Sequence, residues 1–414
     1  MSPRSWPAHR SRPSRAAAAL GDALAAGAAA LALAACAGPR QGALPPWEPV
    51  PVPGPEAVES VIFLIGDPGV SDWQRAPILS EIAREVEEWS GELGRDSAVA
   101  VLVLGDIVYP RGMRDPGTEE FAGDSLHVEA QIDMVDGPLA RRYATAGYFL
   151  AGNHDWGMAR GIEGKRRITN MGDFLKRNRV GRGLHVELIP PAGEPGPGVI
   201  DVGANLRMIL LDTAWWLLAW EPQGKPGLIA RIEEAIAGAG DRHILIAAHH
   251  PWRTGGPHGG LVDFWSTFGV RWFLNKTGSL LQDINSRPMQ DLRLQLEEIF
   301  QRHRRPLLFV GGHDHSLQVM EGVKASDPLW IAVSGTGSKV SDVADAPGMR
   351  FRAEKVGYMT LLLLRDGGAI LYVRGADEDW VGCPNDLHED PVACMAAAPR
   401  AFDTLFSTRL HGGS

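Results

Sequence analysis

Cysteine is nearly missing: the 414-residue chain holds three, at positions 36, 383 and 394. A soft-metal or iron–sulfur centre built on several thiolates is therefore excluded. Positive charge is also short. Lys and Arg total 41 against 50 Asp and Glu, for a net charge of −9. With the first 35 residues set aside (four Arg and one Asp), the rest carries −12. A body that acidic excludes bulk nucleic-acid binding. Beyond the N-terminal stretch no run is apolar enough to cross a bilayer, and no internal repeat occurs. Glycine is plentiful, at 49 residues, which suits tight functional turns. At 44% hydrophobic and 22% charged, the composition is that of a soluble globular chain of one large domain or two ordinary ones.

The N-terminus reads as an export signal over residues 1–35. Arg4, Arg10, Arg12 and Arg15 precede an apolar, small-residue run from Ala23 to Ala35, too short to span a membrane. It closes on Leu33-Ala34-Ala35-Cys36, which resembles the bacterial lipobox. That resemblance implies acyl chains on Cys36 and an exported protein anchored to a bacterial membrane, on its periplasmic or cell-surface face. An ordinary signal peptide with an unrelated cysteine is the alternative. Residues 36–57 are Pro/Gly-rich and read as the lipidated cysteine followed by a stiff tether. In an exported chain Cys383 and Cys394 would form a disulfide within a tail over 376–414; two free thiols are the other reading. That tail shows no clear period.

Between these ends, over 58–375, the pattern is α/β. Short apolar runs bounded by turns predict buried strands at Val61–Ile65, Val99–Leu104, Tyr148–Leu150, Met208–Leu211, Ile244–Ala247, Leu307–Val310 and Trp330–Val333. Helical periods fall at Pro77–Trp89, Leu228–Ala237 and Met289–Gln301. Tyr358–Leu364 and Ala369–Val373 flank Arg365-Asp366-Gly367-Gly368 and predict a hairpin.

Five of these strands end in turns bearing metal-ligand residue types. They are Gly66-Asp67-Pro68-Gly69, Gly105-Asp106-Ile107-Val108-Tyr109, Gly152-Asn153-His154-Asp155, His249-His250-Pro251 and Gly311-Gly312-His313-Asp314-His315. Ligands of layered α/β folds sit at the carboxyl ends of strands, so five ends can converge on one point. The donor set is Asp67, Asp106, Tyr109, Asn153, His249, His313 and His315. Oxygen and imidazole donors suit iron, manganese or zinc. Seven exceed what one ion needs, whereas two ions about 3.5–4 Å apart use them and clamp an in-line displacement at phosphorus.

These blocks resemble the calcineurin-like metallophosphoesterases, and within them the purple acid phosphatases of the tartrate-resistant type. The family's usual Asp-x-His first block is replaced in the purple branch by Gly-Asp-x-Gly, as at Gly66–Gly69. That branch adds a tyrosine three residues after the second Asp, as Tyr109 follows Asp106. Gly312-His313-Asp314-His315-Ser316-Leu317-Gln318 and Ser334-Gly335-Thr336-Gly337 also match. The resemblance implies a four-layer α/β/β/α sandwich of two mixed β-sheets flanked by helices, the metallo-dependent phosphatase fold. It implies a first metal on Asp67, Asp106, Tyr109 and His315, suited to Fe(III). A second, divalent metal (Fe, Zn or Mn) would sit on Asp106, Asn153, His249 and His313.

The implied activity is hydrolysis of a phosphorylated small molecule, by in-line attack of a metal-bound hydroxide on a phosphomonoester. A phosphodiesterase or pyrophosphatase with two divalent metals is the runner-up. A surface-anchored, non-catalytic binding protein is the rival from another class. His154 would face the substrate and protonate the leaving oxygen, Asp155 would orient that imidazole, and His258 would bind phosphate. Several readings stay open. Tyr109 is a ligand or a buried aromatic. His258 is a site residue or a loop histidine. His250 is a neighbour of the ligand His249, and Asp314 is structural. Trp215, Trp216 and Trp220 form an aromatic wall at the site or pack a core. Phe264–Leu281, with Trp265, Trp272 and Phe273, reads as an insertion over the site mouth or a contact for a partner or membrane.

Overall fold

Apolar residues at successive positions, rather than alternate ones, make the central strands. Val58–Ile65 is buried at all eight positions. A strand buried on both faces belongs in a sheet covered on both sides. Val61, Phe63 and Ile65 pack into one core with Ile78, Ile82 and Val86, while Ile62 and Leu64 join a second core with Met208, Leu245 and Val310. The computed structural model describes residues 42–43, 47–69, 76–94, 98–219, 221–259, 283–376 and 402–412. Cys36 with the export signal, Cys383, Cys394, Trp220, and the segment holding Trp265, Trp272 and Phe273 lie outside the described residues.

In chain order, β1 (Gly42–Ala43) is followed by β2 (Val58–Ile65), α1 (Ala76–Leu93), β3 (Ala98–Val103), α2 (Glu119–Ile132), α3 (Pro138–Arg142), β4 (Ala146–Phe149), α4 (Ile162–Arg182) and β5 (His185–Leu188). Next come β6 (Gly198–Val202), β7 (Leu206–Leu211), α5 (Thr213–Leu218), α6 (Lys225–Ala237), β8 (His243–Ala248) and α7 (Arg287–Arg302). The chain closes with β9 (Leu308–Gly311), β10 (Leu317–Glu321), β11 (Trp330–Ser334), β12 (Met349–Ala353), β13 (Gly357–Leu364), β14 (Ala369–Gly375) and β15 (Asp403–His411).

Two mixed sheets result. One has the order β1-β12-β10-β11-β9-β8-β7-β6, and the other β15-β14-β13-β2-β3-β4-β5. Strands β2, β3 and β4 are parallel neighbours in one sheet, and β7, β8, β9 and β11 in the other. The core between the sheets mixes Leu102 and Leu361 with Leu210 and Ala247. The outer core joins the other strand faces to helix residues such as Met171, Ile232 and Leu296. The fold is thus a four-layer α/β/β/α sandwich, and the hairpin of β13 and β14 is antiparallel as its sequence predicts. No helix among the described residues is long and apolar enough to cross a membrane.

Two terminal segments differ from their sequence reading. The tail is not structureless: β15 pairs with β14 and completes the second sheet. Register shifts at Ala369/Ile370 and Val373/Arg374 break its alternation, which hid it from a period search. The end of the expected tether is also docked rather than free. β1 pairs with β12, and Trp47 Nε1 donates to the Ser407 carbonyl (2.7 Å) with its ring 5.7 Å from Phe406. Val50 N donates to Ser407 Oγ (2.8 Å), and Tyr372 donates to the Pro51 carbonyl (2.9 Å). This strap bridges the edges of both sheets. Trp47→Ala should lower unfolding stability by about 1–3 kcal/mol, read by urea denaturation; an unchanged midpoint would show the strap to be decorative.

Candidate metal centre

Each of the five strand-end turns delivers its side chain to one end of the sandwich. Three do so through a left-handed backbone: Asp67 (φ 60°), Asp106 (φ 55°) and His313 (φ 68°). Such residues cost roughly 1–3 kcal/mol each and persist where the surroundings over-determine them. Here hydrogen bonds do so. Asp67 N donates to the Gly105 carbonyl (3.0 Å), Gly69 N to Asp106 (3.1 Å), and Tyr109 N to Gly69 (2.9 Å). His313 N donates to Asp67 Oδ2 (2.8 Å), tying the second sheet to the first. At Gly152 a side chain is impossible: a Cβ would stand 2.1 Å from Asp106 Oδ1 and 2.4 Å from its amide nitrogen.

The seven expected donors fall into two groups. In the first, the Tyr109 hydroxyl lies 3.0 Å from Asp67 Oδ1 and 3.2 Å from His315 Nε2, and those two are 3.5 Å apart. In the second, His249 Nε2 lies 2.9 Å from Asn153 Oδ1, 3.2 Å from His313 Nδ1 and 3.4 Å from Asp106 Oδ1. Asp106 stands between the two groups: its carboxylate also acts on the Tyr109 hydroxyl of the first group and raises its pKa. Asp67, Asp106 and His249 each offer an atom within 4.8 Å of one another. Donors about 2.1 Å from a shared ion stand about 3.0–3.4 Å apart, which is the spacing here. Asp67 and His249 are fully buried and Asp106 is 1% exposed.

The electrostatics fit a cation. His249 Nδ1 donates to the Leu104 carbonyl (2.9 Å), so its Nε2 carries the lone pair. Nε2 faces Asn153 Oδ1 at 2.9 Å, where a proton or a metal ion can lie between them. Without an ion, burial pulls the His249 pKa down, but the Asp106 and Asp67 carboxylates outweigh it and hold it above its ordinary value. Burial pushes Asp106 up, yet His249 and His154 hold it below the usual carboxylate range. Burial and the two carboxylates push the Tyr109 hydroxyl well above 10. His313 is driven well down by burial and by the imidazoles around it, so it stays a neutral donor.

The surrounding residues sort out differently from the sequence expectations. His154 is partly exposed, its ring 4.3 Å from Tyr109 and its Nε2 3.9 Å from Asp106 Oδ2. Asp155 does not orient it; the Pro110 carbonyl does, accepting from His154 Nδ1 at 2.7 Å. Asp155 instead accepts from the backbone of Ile107, Val108 and Gly152 (2.8–3.1 Å), binding two ligand turns together, because its own turn points it inward. Burial and then Asp106 push its carboxyl up to about 7. His258 lies against His313, with ring centroids 4.0 Å apart, and pairs through Nδ1 with Asp283 (2.6 Å). His250 sits behind the donors with Nδ1 2.8 Å from Thr213 Oγ1. Asp314 accepts from His258 N (3.1 Å), a structural role. Trp215 and Trp216 are 1% and 2% exposed and pack the core, so neither forms a wall at the site.

Sequence reasoning passed over Asp212, Asp283, Ser338 and Lys339. The last two follow the Ser334–Gly337 block directly and could have been found there. Asp212 caps α5, accepting from Trp215 N (2.7 Å) and Trp156 Nε1 (3.0 Å), and burial raises its carboxyl to about 7. Its folded value lies above the ordinary 3.8, so the folded state holds a proton that the unfolded chain releases. That contribution is full below the ordinary value and fades as pH rises through about 7. Wild-type stability to urea should therefore fall more between pH 5 and pH 8 than that of Asp212→Asn; parallel curves would refute the assignment.

No protein-family model matches the chain, and no curated protein matches it. Among solved structures it is similar to the purple acid phosphatase PPD1 from yellow lupin (Lupinus luteus) seeds, at 15% identity and a TM-score of 0.51. That match covers 86% of this chain and spans 55% of the lupin chain. GAP50, the anchor in the inner membrane complex of Plasmodium, aligns at 13% identity and a TM-score of 0.47, covering 83% of this chain and 96% of that one. PhoD aligns at 9% identity and 0.46, over 79% and 67% of the two chains. The lupin likeness is one of fold: both chains build the same layered sandwich.

Proposed function

We propose that the chain is a dinuclear-metal phosphohydrolase of purple acid phosphatase type, acting on phosphomonoesters of small molecules. The observation that supports this most is the pair of donor groups meeting at Asp106. In this reading Asp67, Asp106, Tyr109 and His315 hold the first ion, and Asp106, Asn153, His249 and His313 the second. Two carboxylates and a phenol suit Fe(III) at the first, while two imidazoles and an amide suit divalent Fe, Zn or Mn at the second. When bound, the ions supply Lewis acidity and charge neutralisation at phosphorus. His154, with Nδ1 committed to Pro110, keeps Nε2 for the leaving oxygen and delivers its proton there. His258, held by Asp283, is positioned to bind a phosphoryl oxygen. The shared fold with the lupin phosphatase adds support.

The test pairs metal analysis of the purified protein with turnover of p-nitrophenyl phosphate and its bis ester. Two ions per chain and monoester turnover are expected. Turnover of the bis ester alone would favour the diesterase reading. Two ions with neither activity would favour a non-catalytic binding protein. Iron-loaded protein should also absorb in the visible, and Tyr109→Phe should lose that band while keeping the second ion; an unchanged spectrum would remove Tyr109 from the donor set.

Export and lipidation at Cys36 belong to the same proposal, with the enzyme held on a bacterial membrane surface. Cys36→Ala should release the protein from the membrane fraction, and an unaltered distribution would refute the anchor.

A further inference from the structure

The loop after β11 is fastened to the first donor group on both sides of one lysine. Ser338 Oγ donates to the Asp67 carbonyl, and Ser341 N donates to the His315 carbonyl (2.7 Å). Between these anchors Lys339 places its ammonium 4.0 Å from the centre of the Tyr109 ring. One short segment thus contacts Asp67, Tyr109 and His315. The side chain is half-buried, and among the described residues it forms no ion pair. A solvated surface lysine would have neither the two flanking hydrogen bonds nor a stacking partner inside the donor set. His154 lies against the same ring, 4.3 Å away. An imidazole and a lysine ammonium therefore share the rim of the Tyr109 ring, on the side where His154 is proposed to serve the leaving oxygen.

We propose that Lys339 is a specificity-determining residue that receives a second anionic group on the substrate. It would favour terminal phosphoryl groups whose leaving group is itself a phosphate, such as inorganic pyrophosphate or a nucleoside diphosphate. This rests on the phosphohydrolase reading above and extends it from phosphomonoesters to phosphoanhydrides. The reaction adds the oxygen of water to the terminal phosphorus and breaks its bond to the bridging oxygen. The bridging oxygen leaves with the electron pair on the second phosphate, and the protons of water end on the two products or in solvent. Lys339 neutralises the charge that grows on that leaving phosphate. When the leaving group is nitrophenolate, there is no second phosphoryl group for Lys339 to receive.

The test compares pyrophosphate, ADP and p-nitrophenyl phosphate on metal-loaded wild type, Lys339→Gln and Lys339→Arg. The ratio of kcat/KM for pyrophosphate or ADP to that for p-nitrophenyl phosphate should fall about 10- to 100-fold in Lys339→Gln. Lys339→Arg, which keeps the charge, should restore most of it. Calorimetric titration with methylenediphosphonate, which is not hydrolysed, should show affinity weakened about tenfold or more in Lys339→Gln. An unchanged ratio, or an equal loss on all three substrates, would overturn the proposal. Wild type inactive on every substrate would end the phosphohydrolase reading instead. The titration would then still decide Lys339, with equal affinities in wild type and Lys339→Gln counting against it.

Discussion

Asp106→Asn should abolish most activity while leaving the fold intact, with kcat/KM down roughly 10³- to 10⁴-fold. The estimate follows from the several kcal/mol a metal supplies to the transition state and about 1.36 kcal/mol per decade of rate. Asparagine is the right probe because it tolerates the left-handed backbone that Asp106 adopts. It keeps the shape and removes the charge. Asp106 is the residue that stands between both donor groups, so its loss should lower the metal content below two per chain. It should also remove the largest pull that raises the His249 pKa. Elemental analysis and circular dichroism would be read together. A folded variant that retains two ions and near-wild-type turnover would dissolve the shared-ligand picture.

His154→Ala should cost less, and unequally. General acid–base groups contribute about 10²–10⁴-fold, and the contribution grows as the leaving group becomes a poorer acid. With an alkyl phosphate kcat should fall about 10²-fold or more. With p-nitrophenyl phosphate, whose leaving group needs no proton, the fall should be about tenfold or less. Metal content should not change, because the His154 imidazole hydrogen-bonds Pro110, and the His154 backbone N–H, which donates to Asp106 Oδ1 (3.0 Å), survives the substitution. Equal losses on both substrates would assign His154 to phosphate binding instead.

The parts of this molecule that could be read from its sequence are those whose physics is local. β2, β3, β8 and β9 are continuous apolar runs because helices cover one face and a sheet the other. Their donors follow within a few residues, since the turn that ends a strand also aims the side chain. The peripheral pieces were hidden for a different reason. α4 has buried positions Gly164, Ile168, Met171 and Leu175 at helical spacing, but Lys and Arg crowd the rest of it. β15 and the strap owe their place to partners 30 to 360 residues away. Asp155 illustrates the limit within the site. Its neighbour His154 invited a pairing, yet the tight turn sends the carboxylate toward the backbone of Ile107 and Val108. Lys339 needed the folded loop, because only there does it meet a ring 230 positions earlier in the chain.

The strap has a practical side. A recombinant version trimmed to start at Val58, where the first long strand begins, would discard Trp47, Val50 and Pro51 and strip the cover from Phe406 and Ser407. Two raw sheet margins would then face water, open to pairing with other copies of the chain. Truncations meant for expression or crystallisation should therefore keep everything from Gly42 onward.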